Sequence, residues 1–457
     1  MKKFWLSALM CTSVCAVTSV TMASPATPAK GIADAQAAAA KAARMQWFAD
    51  AKFGIFIHYG IYDVDGVAES WSFFDEKIPY ADYMKQLKGF TASHYDPQAW
   101  ADLIRESGAR YAVMTTKHHD GVALWDTKQG LNVVKDTPAK RDLVAPFVAA
   151  LRKDGLKVGL YFSLIDWSSP DYPAFTQTKT RYQIKNDPAR WNRFVAYYQG
   201  QLRDLMNRYN PDLYWFDGGW EHSAEEWHSK QTRDMILAHN PNAILNSRLP
   251  GYGDYGTPEQ GVPITRPPDK YWELCMTIND SWGWQPQDHD FKTPNELIRM
   301  LADTLDMGGN LLLDFGPHAD GTIPQQEVST LKEIGRWVRR NQEAIYGSRA
   351  GIPKDYYYGD STLSKDHRTL YLFVTGKPNG PLIVKGLQNR VLAARSLGSA
   401  AKVTTHLSGK WSSTGAPGLL YIDVPDAALD PQVSVIALKL DGPIKLFHPE
   451  VKPEAAN

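Results

Sequence analysis

A chain of 457 residues carrying 50 Lys and Arg against 50 Asp and Glu has room for one large core and a second domain, but no net field to steer a polyanion. That balance argues against nucleic acid as a partner. The 15 Trp and 22 Tyr offer flat faces that suit sugar rings as well as core packing, so composition alone leaves the substrate class open.

Residues 1–23 start with Lys2 and Lys3, run apolar from Phe4 to Met22 and reach small residues at Ala23 and Ser24. This is the pattern of a cleaved signal peptide, and the protein is expected to be periplasmic or secreted. Cys11 and Cys15 fall inside the run without the small preceding residue of a lipoprotein signal, so the mature chain keeps Cys275 alone and forms no internal disulfide. No other stretch has the length of a membrane span. Residues 24–43, SPATPAKGIADAQAAAAKAA, are low in complexity and read as a linker, or at most a frayed Ala-rich helix.

From residue 44 to 350 strand and helix alternate. Strands are expected at Lys52–His58, Tyr111–Thr116, Lys157–Ser163, Asp212–Phe216, Ala243–Ser247, Tyr271–Met276 and Asn310–Phe315, with helical stretches between most of them. The rhythm predicts an α/β fold with a parallel sheet, closed into a (β/α)8-like barrel of irregular form, since the eighth strand has no clear candidate. Beyond Gly351 the helical pattern stops. Strand-like segments at Thr369–Thr375, Pro381–Val384, Lys402–Leu407 and Val433–Leu438, separated by Gly, Pro and Asp, predict a C-terminal antiparallel β-sandwich over 351–457.

In a barrel of this kind chemistry sits at the carboxyl ends of the strands. Collected there are His58, His118, His119, Tyr161, Asp217, Arg248 with Glu259 in the loop beyond it, and Glu273. Asp217 is the sharpest of them, because an aromatic strand, Leu213–Phe216, runs into it and Gly218-Gly219 follows, freeing the backbone to expose the carboxylate. Lys117-His118-His119-Asp120 could suggest a metal. Adjacent histidines on an extended chain point to opposite faces, however, so neither metal nor cofactor is expected.

The blocks KFGIFIHYG, TTKHHDGVALW, LYWFDGGW, YWELCMTINDSWGW and GGNLLLDFGPHADGTIP, in order between about Phe48 and Gly347, resemble glycoside hydrolase family 29, the retaining α-L-fucosidases, here in a secreted bacterial form. The resemblance implies an exo-acting glycosidase that removes terminal α-L-fucosyl units from fucosylated oligosaccharides or polysaccharides. It implies that Asp217 is the nucleophile, that His58, His118, His119 and Tyr161 bind the sugar hydroxyls, and that Arg248 lies near the nucleophile. Family members commonly have Glu directly followed by Trp after the first strand, whereas Ser70 separates Glu69 from Trp71 here; both stay candidates for sugar contact. The acid/base varies in position across the family, leaving Glu259, on a flexible-looking loop, as first choice and Glu273, inside a strand, as runner-up. Trp282 and Trp284 are expected to wall the apolar pocket for the fucose methyl. Two competing functions are a non-catalytic carbohydrate-binding barrel and a metal-dependent hydrolase built on His58, His118, His119 and Asp120. Linkage preference and oligomeric state are not legible in the sequence.

Overall fold

The computed structural model describes residues 28–409 and 415–448; the expected signal at 1–23 and the first linker residues lie outside them. The linker from Pro28 onward is helical rather than an open tether, forming the start of a helix over Pro28–Ala51. An Ala-rich run with no Gly or Pro after Gly31 has the highest helix propensity available. Among the described residues, those up to Ala43 and those from Arg44 onward fall into two units.

The body contains the seven expected strands: β1 (Phe53–Ile57), β2 (Tyr111–Lys117), β3 (Lys157–Ser163), β4 (Leu213–Asp217), β5 (Ile244–Leu245), β6 (Glu273–Thr277) and β7 (Asn310–Phe315). They form one parallel sheet in the order β5-β4-β3-β2-β1-β7-β6. The unplaced eighth member is an irregular segment, residues 254–260, between the sheet's two edges. Asp254 N donates to Leu245 O at 2.6 Å and Ser247 N to Tyr255 O at 2.8 Å, on the β5 side. On the β6 side Glu273 N donates to Gly256 O at 2.9 Å and Cys275 N to Pro258 O at 3.1 Å. Pro258 has no N–H to give a ladder, and Gly256 has no side chain to pack, so the segment carries no strand signal although it does a strand's job.

Alternation along the strands turns Phe56, Tyr111, Tyr161, Trp215, Cys275 and Leu312 inward, with Tyr255 of the closing segment. Met45 and Phe48 join this cluster: the Phe48 ring lies 4.5 Å from that of Tyr255, Asn310 Nδ2 donates to Phe48 O at 2.8 Å, and Arg44 Nη2 pairs with Asp254 Oδ1 at 2.6 Å. The interior of the barrel is thereby plugged at its amino end and opens to a ligand at its carboxyl end.

After the barrel come β8 (Arg349–Ala350), β9 (Ser361–Leu363), β10 (Thr369–Thr375), β11 (Leu382–Lys385), β12 (Val391–Ser396), β13 (Thr404–Ser408), β14 (Leu419–Asp423) and β15 (Val433–Leu440). They make a five-stranded sheet, β12-β15-β10-β9-β8, and a three-stranded one, β11-β14-β13. Leu370, Leu372, Val384, Ile422 and Ile436 fill the space between the sheets. The sandwich is seated on the barrel's last long helix, Gln325–Ile345, through Trp337 Nε1 to Val433 O at 2.7 Å and Thr362 Oγ1 to Ala344 O at 2.9 Å. Among the described residues no helix is long and apolar enough to cross a membrane.

Candidate active site

At the open end of the barrel lies a cavity of about 330 Å³. Its floor and walls come from β1 (Phe56), the residues just beyond β1 (His58) and β2 (His118), β3 (Tyr161), β4 (Trp215, Asp217), the turn after β4 (Trp220), the segments carrying Glu69, Trp71, Arg248 and Trp282, and Glu259 of the closing segment. Nine sequence candidates thus converge on one hollow: His58, Glu69, Trp71, His118, Tyr161, Asp217, Arg248, Glu259 and Trp282.

Asp217 is the last residue of β4 and is 7 % exposed. The glycines after it are both required. Gly218 has φ +77°, and a Cβ on Gly219 would come within 2.1 Å of the Arg248 carbonyl oxygen. That close approach lets Arg248 come alongside: its Nη1 donates to Asp217 Oδ1 at 2.7 Å, and its Nη2 donates to Glu259 Oε2. The guanidinium is held in place from below by Trp215, whose ring it covers at 4.5 Å, and sideways by Thr257 Oγ1 at 3.3 Å. One planar fork therefore ties two carboxylates together across the cavity. The two differ in access, with the Asp217 side chain 10 % exposed and that of Glu259 39 %. Glu259 is no loop residue free to swing, because Gln260 N donates to Cys275 O at 3.0 Å and pins the segment to β6.

The second oxygen of Asp217 accepts from Tyr161 OH at 2.8 Å and faces His119 Nε2 at 3.5 Å. His119 does not line the cavity. Its Nδ1 is hydrogen-bonded to Ser163 Oγ at 2.6 Å and its ring is packed against Trp167 and Trp71, so it backs Asp217 instead of facing a ligand. His118 and His119 do not take opposite faces as expected of an extended chain: β2 ends at Lys117, the two histidines lie beyond it at the start of a turn, and their ring centroids are 4.2 Å apart. His118 lines the cavity with Nδ1 fixed by Ser70 Oγ at 2.6 Å, and His58 Nδ1 is fixed by Asp314 Oδ1 at 2.7 Å. Burial lowers all three histidines, His58 to about 4, and raises Asp314 well above the usual carboxylate range. The Nδ1···Oδ1 contact commits one ring nitrogen of His58 to the protein and leaves Nε2 as the nitrogen available to a ligand in the cavity. Asp120 takes no part, since it is buried and accepts from Tyr83 OH at 2.6 Å and Val122 N at 2.9 Å.

Glu69 adopts φ +32° and its Oε1 accepts from Gly283 N at 2.7 Å. That kinked backbone brings both Glu69 and Trp71 to the cavity, while the intervening Ser70 turns to His118. Trp282 stands over His58 with ring centroids 4.9 Å apart. Trp284 is not a wall residue; it packs on His318 at 4.5 Å. Phe56, Trp215 and Trp220 line the cavity without having been singled out in the sequence. Phe56 and Trp215 belong to the strand alternation itself, which gives the signal that would have found them, whereas Trp220 follows the Gly-Gly turn and is 57 % exposed.

Glu273 lies in a different place. It is fully buried within β6 and accepts hydrogen bonds from Trp215 Nε1 at 3.0 Å and from Tyr111 OH, below Trp215 and out of the cavity. Burial pushes it up to about 7 from an ordinary 4.5. The proton it holds in the fold is lost more easily once unfolded, so its stabilising effect is complete below about pH 4.5 and disappears as pH rises through about 7. In Glu273→Gln the shape and donors remain but the titration goes. The variant's urea midpoint relative to the parent is expected to rise between pH 4.5 and pH 8 by the equivalent of roughly 2–3 kcal/mol; an unchanged difference across that range would contradict the assignment.

Three comparisons with known proteins bear on this site. The family model for alpha-L-fucosidase matches residues 20–343. The tissue alpha-L-fucosidases of Rattus norvegicus and Homo sapiens are each 34 % identical to the chain, over 66 % of its length and 70 % and 69 % of theirs. Among solved structures, alpha-L-fucosidase isoenzyme 1 from Paenibacillus thiaminolyticus superposes with a TM-score of 0.79 at 35 % identity, covering 88 % of this chain and 100 % of that one. A GH29 alpha-L-fucosidase from Bacteroides thetaiotaomicron, trapped as a covalent intermediate with 2-fluoro-fucosyl fluoride, gives 0.76 at 30 % identity, covering 87 % and 96 %.

Proposed function

Because the chain belongs to the α-L-fucosidase family, glycoside hydrolase family 29, and is an exo-acting, retaining α-L-fucosidase, we propose that Asp217 is its nucleophile and Glu259 its acid/base. The observation that carries this reading is the single Arg248 fork holding both carboxylates. Two carboxylates bonded to one planar guanidinium are near neighbours, in keeping with the close pair, about 5–5.5 Å apart, on which retaining enzymes depend.

In the first step Asp217 attacks the anomeric carbon of a terminal α-L-fucosyl unit from the β face while Glu259 gives its proton to the departing oxygen. The carboxylate charge on Asp217 is consumed in the ester, and Glu259 is left ionised. Arg248 stays bonded to both, so the negative charge moves from one arm of the fork to the other without losing its partner. In the second step Glu259, the more exposed of the pair, deprotonates an incoming water that attacks the same carbon and frees Asp217. Tyr161 OH donates to Asp217 Oδ2 and His119 packs beside the same oxygen, so together they orient the attacking carboxylate. His58 Nε2, His118 and Glu69 face the hollow where the fucose hydroxyls would sit, and their contacts strengthen as the ring gains oxocarbenium character. Phe56 and Trp282, apolar and rigid, suit the methyl that replaces a hydroxymethyl in this sugar.

Two features support the wider reading. The basic start at Lys2 and Lys3 and the apolar run behind it support export across a membrane with removal of the leader, which amino-terminal sequencing of the mature protein would test. His58 and His118 are read as substrate-gripping, since both line the cavity with Nδ1 committed to a separate protein partner, while His119 stands behind Asp217.

Gly219→Ala tests how tightly the fork is set. The added methyl meets the Arg248 carbonyl oxygen and Pro250 Cδ at 2.9 Å, so Arg248 must move off both carboxylates. The expected result is a loss of about 10²-fold or more in kcat/KM on an aryl α-L-fucoside, with the far-ultraviolet spectrum unchanged.

A further inference from the structure

At the amino end of the barrel, opposite the catalytic cavity, is a second hollow of about 280 Å³ whose lining is cationic: Lys52, Arg266, Lys270 and Arg349. Lys52 is 3 % exposed and sits at the entry to β1 with φ +64°, a conformation that side-chain-bearing residues seldom adopt. Its ammonium makes one hydrogen bond, to Gly308 O at 3.1 Å, which leaves two of its three donors unused. Arg266 comes to the same glycine from the other side: a Cβ on Gly308 would lie 3.4 Å from Arg266 Nη2. Arg349 completes the wall, anchored by Asp50 Oδ1 at 3.1 Å and by the carbonyls of Gly347 and Ser348. Lys270 stands beside Tyr271 at the mouth. The carboxylate that acts on Lys52 is Asp50, which is itself shared with Arg349, Lys365 and Gln46.

We propose that this hollow binds a small divalent oxyanion, either the free ion or a sulfate or phosphate ester carried on a carbohydrate. Like charges gathered in a half-enclosed space repel one another unless an anion joins them, and unused ammonium donors with a guanidinium alongside match a tetrahedral oxyanion. Burial together with the neighbouring Arg349 and Arg266 pushes Lys52 down to about 7, although Asp50 pulls it the other way; a bound dianion would restore its charge. The placement also has a structural consequence. Arg266 and Lys270 belong to the stretch that leads from Glu259 into β6, whereas Lys52 and Arg349 flank the barrel's main helices. An anion between them would brace the segment that bears Glu259 against the frame.

The test is calorimetric titration of the full chain with inorganic phosphate and with inorganic sulfate at pH 8, against sodium chloride at matched ionic strength, and then with galactose 6-sulfate. Saturable binding is expected for the dianions, with net proton uptake seen as a buffer-dependent heat because Lys52 gains a proton. Arg266→Ser/Lys270→Ser, in which only exposed side chains are shortened, is expected to weaken binding at least tenfold while leaving kcat on an aryl fucoside as it is. Lys52→Met should abolish the proton uptake. Tighter binding of the sugar sulfate than of free sulfate assigns the hollow to an esterified glycan, and the reverse order assigns it to the free ion. Heats no different from chloride, or binding that survives unchanged in the double variant, would overturn the proposal.

Discussion

Asp217→Gly is expected to lower kcat on an aryl α-L-fucoside by about 10⁴–10⁶-fold, the scale on which removal of a covalent nucleophile acts. The loss should arise without unfolding, because Asp217 lies at the rim of the cavity and not in the packed barrel interior. Removing the carboxylate leaves a space beside Arg248 Nη1 and Tyr161 OH, both of which can donate to a small anion. Added azide can occupy that space, attack the anomeric carbon from the β face and give β-L-fucosyl azide, inverted relative to the substrate. Formate would act likewise. If the variant kept near-parental turnover, or if azide gave only the α product, Asp217 would not be the attacking group.

Glu259→Ala should show the complementary behaviour. With a natural glycan, whose leaving oxygen needs a proton, kcat is expected to fall by about 10²–10⁴-fold. With an aryl fucoside whose phenol leaves unaided, the first step survives and the fucosyl-enzyme accumulates, seen as a burst of phenol and a low KM. Azide needs no base to attack that ester and approaches from the α face, so rescue gives α-L-fucosyl azide with retention. The opposite stereochemistry of the two rescued variants separates the two roles more sharply than rate losses do. Rescue seen in Glu273→Ala and not in Glu259→Ala would move the acid/base to β6, against the hydrogen bonds that bury Glu273 under Trp215.

Most of the barrel could be read in advance because parallel strands buried on both faces are written as short apolar runs between amphipathic helices. All seven such runs became strands. The closing segment could not be read that way: Gly253, Gly256 and Pro258 interrupt any pattern, and its pairing with β5 and β6 depends on tertiary contacts alone. Glu259 was therefore placed on a loop, although it is held by β6 as firmly as a strand residue. The short β8, β9, β12 and β14 escaped for a related reason, being two to six residues long and, in β12, lacking alternation.

At the site, position along the chain was more legible than direction. Strand-end location identified His58, His118, Tyr161 and Asp217 correctly as neighbours. It could not tell that His119 turns behind Asp217 to meet Ser163, since a bulge between β2 and β3 at Thr115–Lys117 shifts the register just before it. Nor could it tell that Trp284 leaves the wall for His318 while Trp282 stays. The spacing Glu69-Ser70-Trp71 looked like a defect; the positive φ at Glu69 absorbs the extra residue and gives it a use, since Ser70 orients His118.

The proposed mechanism passes through a covalent fucosyl ester at Asp217, and trapping that ester tests it most directly. The enzyme would be inactivated with 2-deoxy-2-fluoro-α-L-fucosyl fluoride, digested with pepsin at low pH and its peptides mapped by mass spectrometry. One fluorofucosyl group per chain is expected, on the peptide containing Tyr214–Trp220 and at Asp217 within it, with no label in Asp217→Gly. A label on Glu259, or on any residue outside that peptide, would contradict the mechanism.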